Sequence, residues 1–533
     1  MFGTEFSGSL FITFSLGITS LIFLFWYYSR SFDYWKKRGI PYVDAIPFFG
    51  STYSLLWKPA HEIELERYLK YGPLYGHFEG NRPLLSVGDL KLVREILVKE
   101  FPSFANRREA HSGNVVVDSM LPILRGEDWK RVRSIVSPTF TTGKIRRMVS
   151  IVKDCSQTLV KNFQNITETG KPFNVREIYG AFTMDVIASS AFSTKLDSHN
   201  DPQNKFVQAA QKGFSSSFSM RLALYLVIPR LMEALRIPVI APGPTDFFKD
   251  VTLQIMEERK RTKQTRNDFL QLLMDTAQEV EQEQKWDAAG VQDDITSNYG
   301  QDESTHQTDK SISNKKLSLN ELVGQCVIFF LAGYDTTAST LSFASYLLAL
   351  NPGIQEKLYN ELREVLQKHK GELTYEALQD MKYLDNVISE TLRLYPPATR
   401  LERMAETDCK LGDTGITIPK GMMITIPNYA LHHDPKLFPD PEKFDPDRFS
   451  AEERAKRDPN AYLPFGAGPR NCVGMRFALM EIKICLAYAV TNFEFFKCSE
   501  TQVPLEFHLG PGLLIPKGIY LKLKKREDKI LLK

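Results

Sequence analysis

The sequence is poor in cysteine and has no strong excess of charge of either sign. Its six cysteines are spread over 533 residues and form no Cys-x-x-Cys pair, which argues against a zinc site or a disulfide framework. The 67 basic and 64 acidic residues leave a net charge of only +3, so there is no electrostatic case for nucleic-acid binding. No repeat or change in composition marks a boundary between folded halves, and we therefore expect one large domain.

Charge is absent altogether from Phe6 to Ser29. This uncharged run exceeds the roughly 20 residues that cross the hydrocarbon core of a bilayer, and its aromatic end, Trp26 to Tyr28, suits a membrane interface. Positive charges follow from Arg30 onward, which predicts a single-pass helix with the domain on the cytosolic side. A cleaved signal peptide is the alternative, but it would carry a shorter apolar region preceded by positive charge.

The chain accordingly divides into three segments. We expect an N-terminal membrane anchor at residues 1–29, a Pro-rich hinge at 30–50 and a folded domain at 51–533. In residues 281–316 apolar side chains nearly vanish, and Gln, Asp, Ser and Asn dominate. A segment of this composition buries too little apolar surface to join a core, so it predicts a mobile polar loop within the domain.

The most informative motif is FGAGPRNCVG, Phe465 to Gly474, which places one cysteine among three glycines, a proline and an arginine. Glycine allows backbone angles closed to other residues and proline stiffens a turn, so backbone amides can point at the sulfur of Cys472. A thiolate held in this way is a tuned metal ligand. A Gly-rich surface turn with a buried structural cysteine is the alternative interpretation.

This loop resembles the cysteine-ligand loop of cytochrome P450, the haem-thiolate monooxygenases, and matches its pattern at Phe465, Gly468, Arg470, Cys472 and Gly474. The resemblance implies a mainly α fold with small β-sheets (α+β), the cytochrome P450 fold preceded by a single transmembrane helix. It also implies haem b, iron protoporphyrin IX, as the cofactor, with the Cys472 thiolate as axial ligand. Such ligation pushes electron density toward bound dioxygen and favours O–O cleavage.

A long helical pattern begins after the polar loop, where Ser318 and Glu321 form a capping-box signature. It is apolar nearly all round, which predicts a helix of roughly 30 residues through the interior. Its centre holds AGYDTT, Ala332 to Thr337, where a glycine and a carboxylate cost stability, so something other than packing must keep them. A helix whose hydroxyls bond back to their own carbonyls is the alternative interpretation of the Thr-Thr pair.

The AGYDTT segment resembles the oxygen-binding helix of the same family. By that resemblance Thr336 and Asp335 are the catalytic residues. Thr336 would hydrogen-bond to bound dioxygen, Asp335 would connect the site to solvent, and the two would relay protons. Gly333 would let the helix open locally.

Glu390 and Arg393, in ETLR, lie three residues apart on one face of an amphipathic helix. Together with Arg448 in PEKFDPDRF they resemble the Glu-x-x-Arg and Pro-x-x-Phe-x-Pro-x-Arg-Phe motifs of the family. The resemblance implies a buried structural triad of Glu390, Arg393 and Arg448. Its expected role is to lock the core near the haem through planar guanidinium contacts, without taking part in the chemistry.

The two haem propionates need cationic and polar partners. The cofactor-binding residues expected from the resemblance are Arg107, Trp129, Arg133, Arg403, Phe465 and Arg470. Trp129 and Arg133 lie four apart on one helical face, as in the family's Trp-x-x-x-Arg element. For any one of these arginines taken alone, a solvated surface residue is the default interpretation. The substrate-pocket candidates are Phe329, Ala332, Ala398 and Thr399.

Within the family the chain is most similar in pattern to the microsomal drug- and steroid-oxidising 3A type and its arthropod relatives. The segments that carry this likeness are WKRVRSIVSPTFTTGK, PPATRLER and NCVGMRFALMEIK, which begin at Trp129, Pro396 and Asn471. The resemblance implies NADPH-cytochrome P450 reductase as electron donor, cytochrome b5 as a second donor, an apolar small-molecule substrate and a place in the endoplasmic reticulum membrane. Candidates for a basic docking surface are Lys130, Arg131, Lys144, Arg146, Arg147 and Arg476.

The sequence thus predicts an oxidoreductase, similar to unspecific monooxygenases, that inserts one atom of dioxygen into xenobiotics, steroids or lipids with electrons from NADPH. Two alternatives share the cysteine loop. A haem-thiolate isomerase acting on peroxides without dioxygen would not need Asp335 and Thr336, and a non-catalytic haem sensor would need neither that pair nor an anchor. NADPH-dependent oxygen uptake with added reductase separates the three.

Overall fold

The computed structural model describes residues 3–109, 112–201, 204–213, 220–222, 224–225, 228–239, 242–266, 268–279, 317–509 and 513–528. The polar loop expected at residues 281–316 lies outside the described residues.

Helices dominate the described residues. The α-helices before residue 317 are α1 (Gly3–Ser29), α2 (Ala60–Tyr71), α3 (Leu90–Arg94), α4 (Val115–Asp118), α5 (Gly126–Val136), α6 (Thr142–Thr169), α7 (Val175–Phe192), α8 (Lys205–Gly213), α9 (Pro229–Ala234), α10 (Pro242–Thr262) and α11 (Phe269–Glu279). The later ones are α12 (Leu319–Leu350), α13 (Pro352–Lys368), α14 (Tyr375–Asp380), α15 (Lys382–Leu394), α16 (Asn428–His432), α17 (Ala451–Ala455) and α18 (Met475–Asn492). A single π-helical turn, Glu95–Lys99, directly follows α3.

Small sheets accompany the helices. The strands are β1 (Leu74–Glu79), β2 (Arg82–Val87), β3 (Phe173–Asn174), β4 (Leu401–Met404), β5 (Cys409–Lys410), β6 (Thr417–Ile418), β7 (Met423–Ile426), β8 (Phe493–Phe496) and β9 (Tyr520–Lys525). They pair in the orders β1-β2-β7-β4, β3-β9-β8 and β5-β6. In the first sheet β2 runs parallel to β7, and Arg403 of β4 lies opposite Ile424 of β7. Helices with small sheets are the α+β class that the sequence predicts.

Helix α12 crosses the interior and lies in the larger hydrophobic cluster. It begins as predicted, because Ser318 and Glu321 form a complete capping box. Its 32 residues span about 48 Å at 1.5 Å per residue. Helix α7 packs along it, and Ile187 of α7 lies 3.0 Å from where a Cβ on Gly333 would be. Gly333 therefore has a packing role, which the sequence argument for this position did not foresee.

Helix α1 stands apart from this core. Its residues Phe11–Ser29 are long and apolar enough to cross a membrane, and none of this stretch is buried. Helix α12 passes the same test of length and composition, but it is mostly buried inside the protein. Helix α1 is therefore the candidate membrane span, which agrees with the predicted anchor.

Candidate functional site

The cysteine loop leads from a buried segment into helix α18. Backbone hydrogen bonds close it, among them Cys472 N–H to Phe465 O at 2.9 Å and Gly466 N–H to Leu463 O at 3.0 Å. Helix α18 begins three residues after the cysteine. The loop is therefore a closed turn at a helix N-terminus, where backbone N–H groups favour a negatively charged sulfur.

Gly468 brings this loop against the π turn that follows α3. Its φ is +70°, a region that side chains other than glycine rarely adopt. A Cβ at this position would overlap the backbone carbonyl of Leu97, whose carbon would lie only 2.9 Å away. Both the backbone angle and the close approach thus require glycine here.

The side chain of Cys472 is exposed. Protein nevertheless surrounds it closely enough that burial raises the pKa of the thiol. The N–H of Gly474, which donates to the sulfur, and the charges of Arg133 and Arg107 oppose this rise in pKa. Burial outweighs these contributions in the free thiol, and the Gly474 N–H and the two arginines are the groups that favour its thiolate form.

Cys326 and Cys485 lack the exposure of Cys472 and its loop setting. They are buried within α12 and α18, and burial raises the pKa of both thiols above the usual range. Buried helical cysteines of this kind behave as small apolar side chains. Of the six cysteines, all of them in the described residues, Cys472 is the exposed one.

Three arginines near the cysteine, Arg107, Arg403 and Arg470, form no salt bridge among the described residues, and the last two are buried. Burial lowers the pKa of Arg107, Arg403 and Arg470, and repulsion from the neighbouring arginines lowers the pKa of the last two further, that of Arg470 to about 9. The Nε atoms of Arg403 and Arg470 also have no hydrogen-bond partner in the described part of the chain. Uncompensated buried positive charge is costly. The two negatively charged propionate groups of haem would compensate this positive charge.

Arg470 also ties the loop to the segment that precedes α5. Its Nη2 donates to Asn106 Oδ1 at 3.1 Å and to Leu124 O at 2.8 Å. Its guanidinium carbon lies 4.3 Å from the centre of a Trp129 ring, a cation–π contact. These contacts hold the arginine in one orientation at the edge of the site.

Arg133 binds Asn471, the residue directly before the cysteine. It donates to Asn471 O at 3.0 Å and to Asn471 Oδ1 at 2.7 Å. Arg107 Nη2 donates to Arg470 O at 3.3 Å on the neighbouring side. Contacts and charge interactions thus bring together around Cys472 all six residues expected to bind the cofactor.

One strip of α12 is more accessible than the rest of that helix. Ala332 is exposed, and Gly333 and Thr336 are half-buried, although most of their neighbours in the helix are buried. Residues at these spacings share one helical face. The hydroxyl of Thr336 donates to Ala332 O at 2.7 Å, which is the back-bonded geometry of the alternative interpretation. Its proton is therefore engaged within the helix in this state.

Phe329 lies in an aromatic cluster. Its ring stacks on Phe269 with centroids 4.3 Å apart, and Phe140 and Phe477 lie at 5.9 and 5.7 Å. These contacts give Phe329 a role in packing α12 against its neighbours. A further role at the substrate pocket stays a prediction.

Ala398 and Thr399 are fixed through their backbone carbonyls. Ala398 O accepts from Asn428 Nδ2 at 3.0 Å, and Thr399 O accepts from Tyr429 N–H at 2.8 Å. Thr399 is buried and borders a small cavity that Glu64 also lines. Both candidates are thus held rigidly by α16, and contact with a substrate stays a prediction.

A buried charge network lies beside that cavity. Arg108 donates to Glu79 at 2.7 Å and to Glu402 at 3.1 Å, and Arg400 lies 2.7 Å from Glu402. Although burial raises the pKa of Glu402, Arg108 and Arg400 lower it more strongly, to about 2. Glu64 is less well compensated, and burial raises its pKa to about 7. The network therefore contains one carboxylate that stays ionised and one that titrates near neutrality.

Asp335 is paired, not isolated. Its carboxylate, almost fully buried, forms a hydrogen-bonded salt bridge with Arg176 of α7, whose side chain remains 27% exposed. The pair therefore reaches from the interior of α12 toward solvent. It removes the cost of burying an unpaired carboxylate at this position.

Glu390, Arg393 and Arg448 lie together as a buried cluster. Arg393 donates to both oxygens of Glu390, at 2.7 and 2.9 Å, and Arg448 Nε lies 3.3 Å from Glu390 Oε1. Arg393 also donates to His432 O at 2.8 Å and Pro441 O at 2.7 Å. The pair and its backbone contacts join α15 to the end of α16 and to the Pro-rich loop.

The sequence did not single out Arg176, Asn106 or Asn471, although each holds a predicted site residue. Arg176 lies 159 positions from Asp335, so no local pattern could signal the pair. Asn106 precedes Arg107 in the NRR segment, and Asn471 precedes the cysteine, so position alone was a weak signal for both. The sequence also did not predict the buried charge network around Glu402, because its members come from four separate segments.

Comparisons with known proteins agree with this geometry. A family model described as "Cytochrome P450" matches residues 40–523. Cytochrome P450 3A11 of Mus musculus is 40% identical over 95% of both chains, and Cytochrome P450 3A7 of Homo sapiens is 38% identical over 97% of both. Cytochrome P450 3A9 of Rattus norvegicus is 39% identical, again over 97% of both chains. The chain therefore belongs to the cytochrome P450 family, the monooxygenases that bind haem through a cysteine thiolate.

Proposed function

We propose that this protein inserts one atom of dioxygen into apolar small molecules, namely xenobiotics, steroids or lipids, with electrons from NADPH delivered by NADPH-cytochrome P450 reductase. The observation that carries the proposal is the environment of Cys472, an exposed loop thiol that receives a backbone hydrogen bond from Gly474 and lies close to the charges of Arg133 and Arg107. No other cysteine of the chain combines these features. The substrate class rests on the likeness to the 3A-type relatives.

Cys472 is the proposed axial ligand of the haem iron. Haem with such a ligand supplies electron density that favours cleavage of an O–O bond. The chain's part is to hold the sulfur in place through the closed loop and to moderate its charge through the Gly474 N–H. Arg107, Arg403 and Arg470 would neutralise the propionates, while Trp129, Arg133 and Phe465 complete the cofactor-binding set.

Thr336 and Asp335 are the proposed proton relay. To give up its proton at the site, the Thr336 hydroxyl must leave Ala332 O, and the accessible strip of α12 gives it room to rotate. Asp335 must take up protons from solvent, and the partly exposed Arg176 is its link to the surface. When the Asp335 carboxylate leaves Arg176 it could take up a proton on the solvent side and release it on the site side of α12.

The domain is proposed to sit on the endoplasmic reticulum membrane with its single anchor, α1, in the bilayer and its bulk in the cytosol. The end of the anchor contacts the hinge, because the rings of Tyr28 and Phe48 lie 4.9 Å apart. Phe49, Leu56 and Trp57 are exposed on the same stretch of chain. Exposed apolar side chains next to a membrane span fit an interface that dips into lipid.

The reductase, with cytochrome b5 as a second donor, is proposed to dock on the basic surface named from the sequence. Lys130, Arg131 and Arg146 form salt bridges with acidic neighbours, which reduces their share of the positive field. Lys144 and Arg147 form no salt bridge among the described residues, so they would carry most of the attraction.

The test compares Cys472→Ser with Cys485→Ala, a matched change at a buried cysteine of the same region. We expect the ferrous carbon-monoxide complex of the wild-type chain and of Cys485→Ala to show the red-shifted Soret band of thiolate ligation, and Cys472→Ser to lose it. NADPH-dependent oxygen uptake with added reductase should follow the same order. Retention of the band in Cys472→Ser would refute the assignment, and turnover of peroxides without NADPH would favour the isomerase.

A further inference from the structure

His432, the last residue of α16, connects the buried triad to the cysteine loop. Its side chain is fully buried. Its backbone oxygen accepts from Arg393 at 2.8 Å, and its ring Nε2 accepts from the backbone N–H of Leu463 at 2.9 Å. One residue thus touches both the triad and the first residue of the segment that leads to Cys472.

The hydrogen bonds continue from there into the loop. Leu463 O accepts from Gly466 N–H at 3.0 Å, and two residues further Phe465 O accepts from Cys472 N–H at 2.9 Å. Leu463 is itself buried, so its N–H has no access to solvent. If the imidazole were absent, a buried backbone donor would be left without a partner at the base of the loop.

The ring can serve this role only in its neutral form. Because Nε2 accepts a hydrogen bond, the ring hydrogen must sit on Nδ1, on the side of the Leu392 and Arg393 backbone. Burial, together with the charges of His433 and Arg393, lowers the pKa of His432 well below its usual value. Tyr462 and Phe438 flank the ring at centroid distances of 5.2 and 6.4 Å. The acceptor is therefore held in a fixed orientation.

We propose that His432 is a positioning residue that fixes the start of the cysteine loop and, through it, the sulfur of Cys472. The inference rests on the proposed role of Cys472 as iron ligand. His432 does not touch the reacting atoms. It holds Leu463, and Leu463 begins the turn that the Phe465–Cys472 hydrogen bond closes.

The experiment replaces the acceptor and compares the result with a neighbouring control. His432→Leu and His432→Asn remove an acceptor at the Nε2 position, while His432→Gln keeps one at about the same reach. His433→Leu is the matched control, because His433 is also buried but its ring bonds to Tyr429 O of α16, at 2.9 Å, and not to the cysteine loop in the described part of the chain. The measurement is the rate at which the ferrous carbon-monoxide complex loses its red-shifted Soret band in dilute denaturant, with far-UV circular dichroism recorded in parallel.

We expect the band to be lost about tenfold faster in His432→Leu and His432→Asn than in wild type, before helical signal is lost. His432→Gln and His433→Leu should stay within about threefold of wild type. If His432→Leu does not fold, the comparison of His432→Asn with His432→Gln tests the inference. Equal rates for Asn and Gln, or an equal effect of His433→Leu, would overturn the inference. A wild-type chain without the band would instead overturn the proposed ligand, on which this inference depends.

Discussion

Replacing Gly468 by alanine tests the geometry of the cysteine loop directly. The substitution adds one methyl group where the loop passes the π turn. The backbone at this position has a φ of +70°, and the new Cβ would overlap the carbonyl of Leu97. Both effects act on backbone atoms, which cannot rotate away as a side chain can.

The expected loss follows from these two terms. Holding alanine in the left-handed region costs about 1–2 kcal/mol. Relieving the overlap requires a backbone shift in a packed region, which costs about 1–3 kcal/mol more. Gly468→Ala should therefore lower the free energy of unfolding by about 2–5 kcal/mol.

Two other glycines of the same loop are matched controls. Gly466 also has a positive φ, +74°, but a Cβ there would meet nothing closer than 3.8 Å, so Gly466→Ala should cost only about 1–2 kcal/mol. Gly474 has a φ of −87°, and its nearest neighbour would lie 3.9 Å away. Gly474→Ala should cost less than about 1 kcal/mol.

The assay is guanidinium unfolding of the full chain in detergent, followed by far-UV circular dichroism, with the carbon-monoxide spectrum of each variant beside it. The order of destabilisation should be Gly468 first, Gly466 second and Gly474 last. The loss of the red-shifted Soret band should follow the same order. If Gly468→Ala is as stable as Gly474→Ala, the close approach to Leu97 is wrong and the argument fails.

Two further predictions concern the interior. Thr336→Ala should leave the substrate-binding spectrum unchanged but divert NADPH to hydrogen peroxide, because the site loses its proton-donating hydroxyl; product formed per NADPH measures this, and unchanged coupling across several substrates would contradict it. Glu64→Gln should change how stability depends on pH. The pKa of Glu64 is raised from 4.5 to about 7, so its favourable contribution is complete below pH 4.5 and is lost as pH rises through 7. Over that range wild type should lose on the order of 3 kcal/mol that Glu64→Gln retains. Parallel pH profiles from denaturation of the two proteins would count against the raised pKa.

Local patterns predicted the elements whose causes are local. Ser318 and Glu321 are three residues apart, and that spacing alone produces the capping box that begins α12. The apolar character of α12 on all sides predicted its path through the core. The cysteine loop was recognisable for the same reason, because its glycines, its arginine and Cys472 occupy ten consecutive residues.

Pairings between distant segments could not be predicted in this way. The partner of Asp335 comes from α7, and the acceptor for Leu463 comes from α16, with 159 and 31 positions between the partners. Nothing in the spacing of Arg176 or His432 distinguishes them from ordinary helical residues. The role of Gly333 was missed for a related reason, since the side chain that approaches it, Ile187, belongs to another helix.

The position of the sulfur depends on contacts that reach the loop from independent directions. Arg133 holds Asn471, directly before the cysteine, while His432 holds the chain nine residues earlier, at Leu463. A turn fixed at both ends can keep its geometry while the helix on the far side of the site moves. In the proposed mechanism Thr336 would rotate to release its proton, and a loop fixed independently of α12 would keep the sulfur of Cys472 in place meanwhile. The cysteine loop is therefore secured by contacts from distant segments, whereas the Thr336 hydroxyl is held by one hydrogen bond within α12.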